Sequence, residues 1–286
     1  MLKPTLRIVQ TDCTLANFDE NLARHVTAAE QAIRDGVDAI AFPELSLTGY
    51  NVQDAAQDIA MHIDDRRLDP LRELSRNICI ICGGIELSDD YGVYNAALLF
   101  EDGSSRSVHR KIYLPTYGMF EELRYFSAGQ QVEAIISRRL GKIGVAICED
   151  LWHVSVPYLL AHQGAKLLVV LMSSPLRMSP GTGNPAIVSQ WQTIAETYAF
   201  LFSSYVACVN RVGNEDSFTF WGSSSVTGPD GSQLVSAPLF SQCVIDAPID
   251  FLDVKRSRLQ SSHFLDEDLK LFAAELETIL KSKRSH

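Results

Sequence analysis

The chain has 286 residues, 46% hydrophobic and 21% charged, which is the usage of a globular protein with material for a core, not of a disordered chain. Its 25 basic and 35 acidic residues leave a net charge of -10, which argues against nucleic acid or anionic lipid as a partner. No apolar run approaches the roughly 20 residues of a membrane span, and residues 2–4 lead straight into a strand with no secretory leader, so a soluble, cytoplasmic protein is expected.

Residues 6–11 read as a strand, and 18–34 as a helix with an apolar stripe at Leu22, Val26, Ala29 and Ile33, ended by Gly36. Residues 37–42 form a buried strand that empties into Pro43 and Glu44. This opening β-α-β unit implies parallel pairing. A loop begins at Gly49 and Tyr50, and a helix is expected over 68–76. Residues 78–87 are a third strand, and 93–100 with 105–114 form a hairpin turned at Asp102 and Gly103. A long aromatic loop then fills 115–129.

Strands follow at 132–136 and 143–147, a short helix at 157–162, and a fully buried strand at 167–172. The segment 173–185, rich in Pro, Gly, Ser and Thr, is a substrate-type loop. A helix over 187–202, a strand over 205–210, a hairpin of 223–227 with 233–237 and a last strand at 242–245 complete the body. From about residue 250 the chain is charged and helical, with a stripe at Leu269, Phe272, Leu276 and Leu280. With no repeat and no linker, a single domain over 1–286 with a C-terminal helical tail is expected. The fold class is α/β, a mixed sheet or a pair of sheets covered by helices.

Six cysteines, Cys13, Cys79, Cys82, Cys148, Cys208 and Cys243, are scattered through strand-like runs, the pattern of a reducing compartment. Cys79 and Cys82 form a C-x-x-C, but a strand turns their thiols to opposite faces and no second ligand pair stands nearby. No metal or cofactor is expected.

Cys148 differs from the others. The run 143–147 is the signature of a strand buried on both faces, and Cys148 follows where that strand gives way to a loop, a position where α/β folds place reacting groups. Two more polar residues stand at ends of apolar strands: Glu44, and Lys111 inside the expected 105–114 strand. A carboxylate, an ammonium and a thiol are costly there unless they face one another or a cleft. Together they compose a site in which the carboxylate takes the thiol proton, the ammonium favours the thiolate and an oxyanion, and the sulfur attacks a carbonyl or nitrile carbon. Singly each signal is weak, since a strand-end Glu is more often a cap, a lone Lys a surface base and a lone Cys core. His109 and His153 offer a rival, a Cys–His nucleophile.

The wording around these residues is specific. FPELSLTGY, then HRKIYLPTYGMFEELRYFSAG, then VAICEDLW, in this order, resemble the nitrilase superfamily of carbon–nitrogen hydrolases, most of all the glutamine-amidase domain of glutamine-dependent NAD synthetases. The likeness runs from the first strand to about Gly231. It implies a four-layer α-β-β-α sandwich and a Glu44–Lys111–Cys148 triad. It also implies a second glutamate at Glu122, with Glu121 the adjacent competitor, and an oxyanion hole shared by Lys111 and the Glu149 backbone N–H. A homodimer or larger homo-oligomer and a small-molecule amide substrate are implied as well. Tyr117, Phe120 and Trp152 are pocket walls or core, Asp150 a support of the turn, and Ser173 and Arg177 candidate substrate contacts from the loop. Such synthetases continue into an ATP-dependent domain. No Gly-rich phosphate loop occurs in these 286 residues, so ammonia is expected to be released or passed to a separate protein.

Overall fold

Strands made almost wholly of Ile, Val, Leu, Ala and Cys can be satisfied only between two layers, and the chain provides two such sets. The computed structural model describes residues 3–176 and 186–283. Its strands are β1 (Thr5–Gln10), β2 (Ala39–Ala41), β3 (Cys79–Leu87), β4 (Val93–Glu101), β5 (Ser104–Arg110), β6 (Ile135–Ser137), β7 (Gly141–Ile147), β8 (Leu167–Met172), β9 (Tyr205–Asn210), β10 (Val212–Glu215), β11 (Phe218–Trp221), β12 (Ser225–Thr227), β13 (Gln233–Ser236) and β14 (Cys243–Pro248). Six form one sheet in the order β14-β1-β2-β3-β4-β5, and six the other, β13-β12-β9-β8-β7-β6. The cores β1-β2-β3 and β7-β8-β9 are parallel, and the flanking strands pair antiparallel.

The two sheets face each other across an apolar layer that includes Leu6, Ile8, Ile81, Ile143, Val145, Ile147, Val169 and Val209. Each such side chain contributes about 1.5–3 kcal/mol on burial, and a slip of one residue would turn the whole set outward, so the register is firmly held. Helices α1 (Phe18–Arg34), α2 (Ala56–Ile59) and α3 (Asp69–Leu74) lie in the first half of the chain, and α1 and α3 cover the outer face of the first sheet. The short α4 (Glu122–Tyr125) sits in the aromatic loop. Helices α5 (Ser155–His162) and α6 (Ala186–Phe202) cover the second sheet, and α7 (Phe251–Gln260) and α8 (Leu269–Lys283) close the chain. The layers are α-β-β-α, as the resemblance to the nitrilase superfamily implies. Cys79 belongs to the inner layer and Cys82 to the outer one, the opposite faces expected of them.

One expectation changes, and three details are added. The fifth strand stops at Arg110, so Lys111 lies just past its end and not within it. The expected stripe on α1 packs on the first sheet, with Ala29 buried and Leu22, Val26 and Ile33 partly buried against it; Asn21, His25 and Ala32 are buried beside it, and Asn21 bonds the carbonyl of Thr14 and His25 the hydroxyl of Ser46, so two polar residues serve the neighbouring loops from a buried face. The hairpin β10-β11 was not expected, because its strands are only four residues long and carry little alternation. The stripe on α8 stays exposed within the chain: Leu269, Phe272, Leu276 and Leu280 are all exposed, although Phe272 stacks on Tyr158 of α5 at 4.9 Å.

Candidate active site

Glu44 and Cys148 follow the carboxyl ends of β2 and β7, which are parallel core strands of the two sheets. Both turns use left-handed backbone at residues other than glycine, Leu45 at φ 49° and Cys148 at φ 42°. Such conformations are uncommon for these residue types and persist only where the surroundings enforce them. Around Glu44 the enforcement is visible. The turn lies so close over β3 that a Cβ on Gly83 would sit 2.2 Å from the Leu45 nitrogen. Gly83 also receives the Leu47 N–H at its carbonyl and donates to the Pro43 carbonyl, 3.1 Å each.

The Glu44 side chain is fully buried. Its Oε1 accepts from Asn95 Nδ2 and from Lys111 Nζ, both at 2.8 Å, and its Oε2 accepts from the Ser173 backbone N–H at 2.7 Å. Lys111 Nζ also donates to Glu122 Oε1 at 2.7 Å, and the Tyr50 hydroxyl donates to the same oxygen at 2.6 Å. Lys111 is fixed through its backbone too: its N–H donates to the Asn95 carbonyl, and its carbonyl accepts from Gly129. Gly129 packs so tightly that a Cβ there would lie 2.0 Å from the Arg110 carbonyl oxygen. The lysine thus bridges two buried carboxylates, with both Glu44 oxygens bonded and Glu122 Oε2 buried without a partner among the described residues.

Cys148 is half-buried and starts a short helical turn, Cys148–Trp152. The sulfur is close enough to Glu44, Lys111, Glu122 and Glu149 to feel their charges. Asp150, fully buried, ties this turn to the Lys111 segment. One of its oxygens accepts from the Ile112 and Tyr113 N–H groups, and the other from Ile147 N–H and from His109 Nε2 at 2.7 Å.

Burial pushes the Cys148 thiol well above its ordinary range, and Glu44 adds to the rise against an opposing pull from Lys111. Burial alone would push Lys111 down, but Glu122 and Glu44 outweigh it and hold the ammonium charged. The Glu122 carboxyl is raised to about 7, first by burial, with Lys111 opposing and Glu44 reinforcing. Burial and then Glu122 keep the Tyr50 hydroxyl protonated. The resting centre is therefore a neutral thiol beside a charged lysine, with a carboxyl that titrates near neutrality.

Among the other residues singled out in the sequence, Glu121 is exposed while its neighbour Glu122 is the one that meets Lys111. Ser173 directs its N–H to the Glu44 carboxylate and its hydroxyl to the Glu44 carbonyl. Tyr117 donates to both oxygens of Glu149 at 3.1 Å and stands 5.7 Å edge-on to Phe120. Trp152 is 38% exposed and packs edge-on against Trp191. His109 is bonded to Asp150, and His153 stacks on Tyr113 at 3.5 Å, 3.8 Å from Glu149. Arg177 lies outside the described residues.

Sequence reasoning passed over Asn95 and Tyr50. A polar residue at the start of the apolar run 96–100 was the available sign for Asn95; Tyr50 gave none beyond its place after Gly49. A cavity of about 140 Å³ adjoins the centre, lined by Tyr50, Phe120, Glu122, Phe126 and Phe218 among others. A larger hollow, about 480 Å³, lies beside Tyr94, Arg110 and Gln131; neither cavity is lined by Glu44, Lys111 or Cys148, and the smaller one reaches the centre through Glu122 and Tyr50. No helix among the described residues is long and apolar enough to cross a membrane.

A carbon–nitrogen hydrolase family profile matches residues 5–258. The glutamine-dependent NAD(+) synthetase of Thermotoga maritima is 31% identical over 87% of this chain, and the alignment covers 42% of that protein. The chain thus spans less than half the length of that relative. A citrullinase of Francisella tularensis is 27% identical, the match covering 90% of this chain and 92% of that one. The solved carbon–nitrogen hydrolase of Helicobacter pylori G27 superposes with a TM-score of 0.85 at 23% identity, over 96% of this chain and 98% of that chain. The sandwich is therefore of the nitrilase type, and the chain belongs to the carbon–nitrogen hydrolase family.

Proposed function

We propose that this protein hydrolyses a small non-peptide amide C–N bond through a thioester on Cys148. The reading rests above all on the buried bridge Glu44–Lys111–Glu122 set beside the strained turn that carries the thiol. Glu44 takes the Cys148 proton as the sulfur bonds to the carbonyl carbon. Lys111 and the Glu149 backbone N–H receive the charge that develops on the carbonyl oxygen. As that intermediate collapses, the C–N bond breaks and the protonated Glu44 gives its proton to the departing ammonia or amine. Water then attacks the thioester, Glu44 takes its proton, and the acid leaves with the thiol restored. Glu122 fixes the lysine and, titrating near 7, is a second proton carrier.

The substrate is proposed to be a primary amide or a ureido compound carrying a charged amino group. Glu149 and Tyr117 at the rim supply an anionic and hydrogen-bonding surface for it, and the synthetase and citrullinase relatives act within that range of chemistry by their names. Nitrile or N-carbamoyl hydrolysis, a glutaminase-like subunit feeding a separate synthetase and a non-catalytic scaffold are the competing outcomes of the test. We also propose a homo-oligomer, because Val154 and Leu159 of the α5 region and the α8 stripe expose apolar surface that a second copy would cover, and a cytoplasmic location, with which the six free cysteines agree.

The test is an ammonia-release screen over glutamine, citrulline, short aliphatic amides, ureido acids and nitriles. Cys148→Ala is expected to abolish turnover of whichever class responds. Glu44→Gln and Lys111→Ala are expected to lower kcat by roughly 10²-fold or more. Undiminished hydrolysis by Cys148→Ala would overturn the reading. A dead His109→Ala or His153→Ala beside an active Glu44→Gln would shift it to a Cys–His pair.

A further inference from the structure

We propose that Asn95 is a positioning residue of this centre: it holds the Glu44 carboxylate in the charged form that can take the thiol proton, and it sets Lys111 at its side. The inference rests on the reading of Glu44 as general base and goes beyond it by naming the group that prepares that base.

Asn95 lies in β4 opposite Ile85 and is fully buried. Such a place favours Val or Leu, and an amide there needs partners for both ends. Only one end of the side chain has one. Nδ2 donates to Glu44 Oε1 at 2.8 Å, while Oδ1 is buried and meets no donor among the described residues. A carboxylate can only accept at this contact, so the amide must present its nitrogen, and the unpartnered oxygen is the consequence.

The backbone of the same residue fixes the other half of the pair. Its carbonyl accepts the Lys111 N–H at 2.9 Å, just past the end of β5. One residue thus sets the height of the lysine through the main chain and the ionisation of its partner through the side chain. An N–H aimed at a carboxylate favours its charged form. The other charged or titratable groups that act on Glu44 are Lys111, Glu122 on α4, Cys148 at the end of β7 and Tyr50 in the loop beyond Glu44. Among the described residues, only Lys111 and Asn95 donate to Oε1 from side chains, so removal of the amide N–H leaves a single such donor on that oxygen.

The experiment follows the rate at which iodoacetamide alkylates Cys148, read by peptide mass spectrometry across pH, so it needs no knowledge of the substrate. Wild type is compared with Asn95→Ala, Asn95→Ser, Asn95→Asp and Glu44→Gln, each first checked for a cooperative thermal transition. In wild type the rate rises through an acid limb set by the base. In Asn95→Asp, where a carboxyl replaces the N–H, the limb is expected to move up by about one pH unit, roughly a tenfold loss of rate below it. Asn95→Ala is expected to move it the same way by less, and Asn95→Ser, which retains a donor, by least. Any folded member of the three decides. A limb that stays at the wild-type position, or moves down, in the folded variants while Glu44→Gln alkylates slowly overturns the role of Asn95 alone. A Glu44→Gln protein that alkylates at the wild-type rate overturns the base assignment itself, and the inference with it.

Discussion

The floor of the site and its rim obey different rules. Glu44, Asn95 and Lys111 are at most 1% exposed, and each is held by side-chain and backbone bonds that originate on three different strand ends. Toward the surface, Tyr117 is 48% exposed and Trp152 38%; Tyr117 meets Glu149 of the helical turn after Cys148, and Trp152 meets Trp191 of α6. The difference separates two tasks. Groups that move protons must stay within a few tenths of an ångström of the reacting atoms, so they are rooted in the sheets. Groups that choose a substrate tolerate movement and sit on loops. A substitution on the floor should therefore act on kcat or on folding, and one at the rim on KM.

The largest effects expected belong to the floor. Next to the loss of turnover in Cys148→Ala stands a structural counterpart, Arg211. This arginine is fully buried, pairs with Glu215 at 2.6 Å and with Asp12 at 3.2 Å, and lies 4.2 Å over the ring of Phe220. Glu215 in turn accepts the N–H groups of Tyr50 and Asn51, which carry the loop behind Glu122. Arg211→Ala leaves Glu215 buried without its partner, a loss of about 3–5 kcal/mol. Urea unfolding measures it, and a midpoint unchanged from wild type would show that this ion pair does not brace the floor.

What could be read in the sequence divides along the same line. The strands over 143–147, 167–172 and 205–210 were legible because burial on both faces demands unbroken apolar runs, and Glu44 and Cys148 were legible because they interrupt the pattern where such runs end. Lys111 stood out for its type, although the strand before it ends sooner than its alternation suggests. Asn95 and Arg211 were not legible. Asn95 meets Glu44 from 51 residues away, and Arg211 meets Asp12 and Cys13 from 198–199 away besides its near partner Glu215; no local periodicity reports a bond over the long separations. Gly83 was equally silent, since a glycine in a strand reads as a weakness until the turn that crosses it is in place.

A smaller effect separates the two carboxylates of the floor. The Glu122 carboxyl is raised from 4.5 to about 7 in the folded chain. A folded state that holds the proton more tightly than the unfolded chain gains stability below the unfolded value and loses it as pH rises through the folded one. Between about pH 4.5 and pH 7 wild type should therefore lose on the order of 1–3 kcal/mol from this group, and Glu122→Gln, which cannot titrate, should show a flatter profile over the same window. Urea midpoints taken at half-unit steps test the sign. Parallel profiles for the two proteins would mean that Glu122 is ionised throughout and serves only as an anchor for Lys111.

The rim gives the smallest effect and the sharpest contrast. Trp152 follows Cys148 by four residues and touches Trp191. Removing its ring takes away surface that a substrate can cover but leaves every bond of the floor intact. Loss of about 1 kcal/mol of contact corresponds to roughly a fivefold change in binding. Trp152→Ala is thus expected to raise KM several-fold for the substrate found in the screen, with kcat within about twofold of wild type, the signature of binding lost equally from ground and transition states. A tenfold fall in kcat with KM unchanged would move Trp152 from the rim to the floor, and would mean that its packing on Trp191 holds the helical turn on which Cys148 stands.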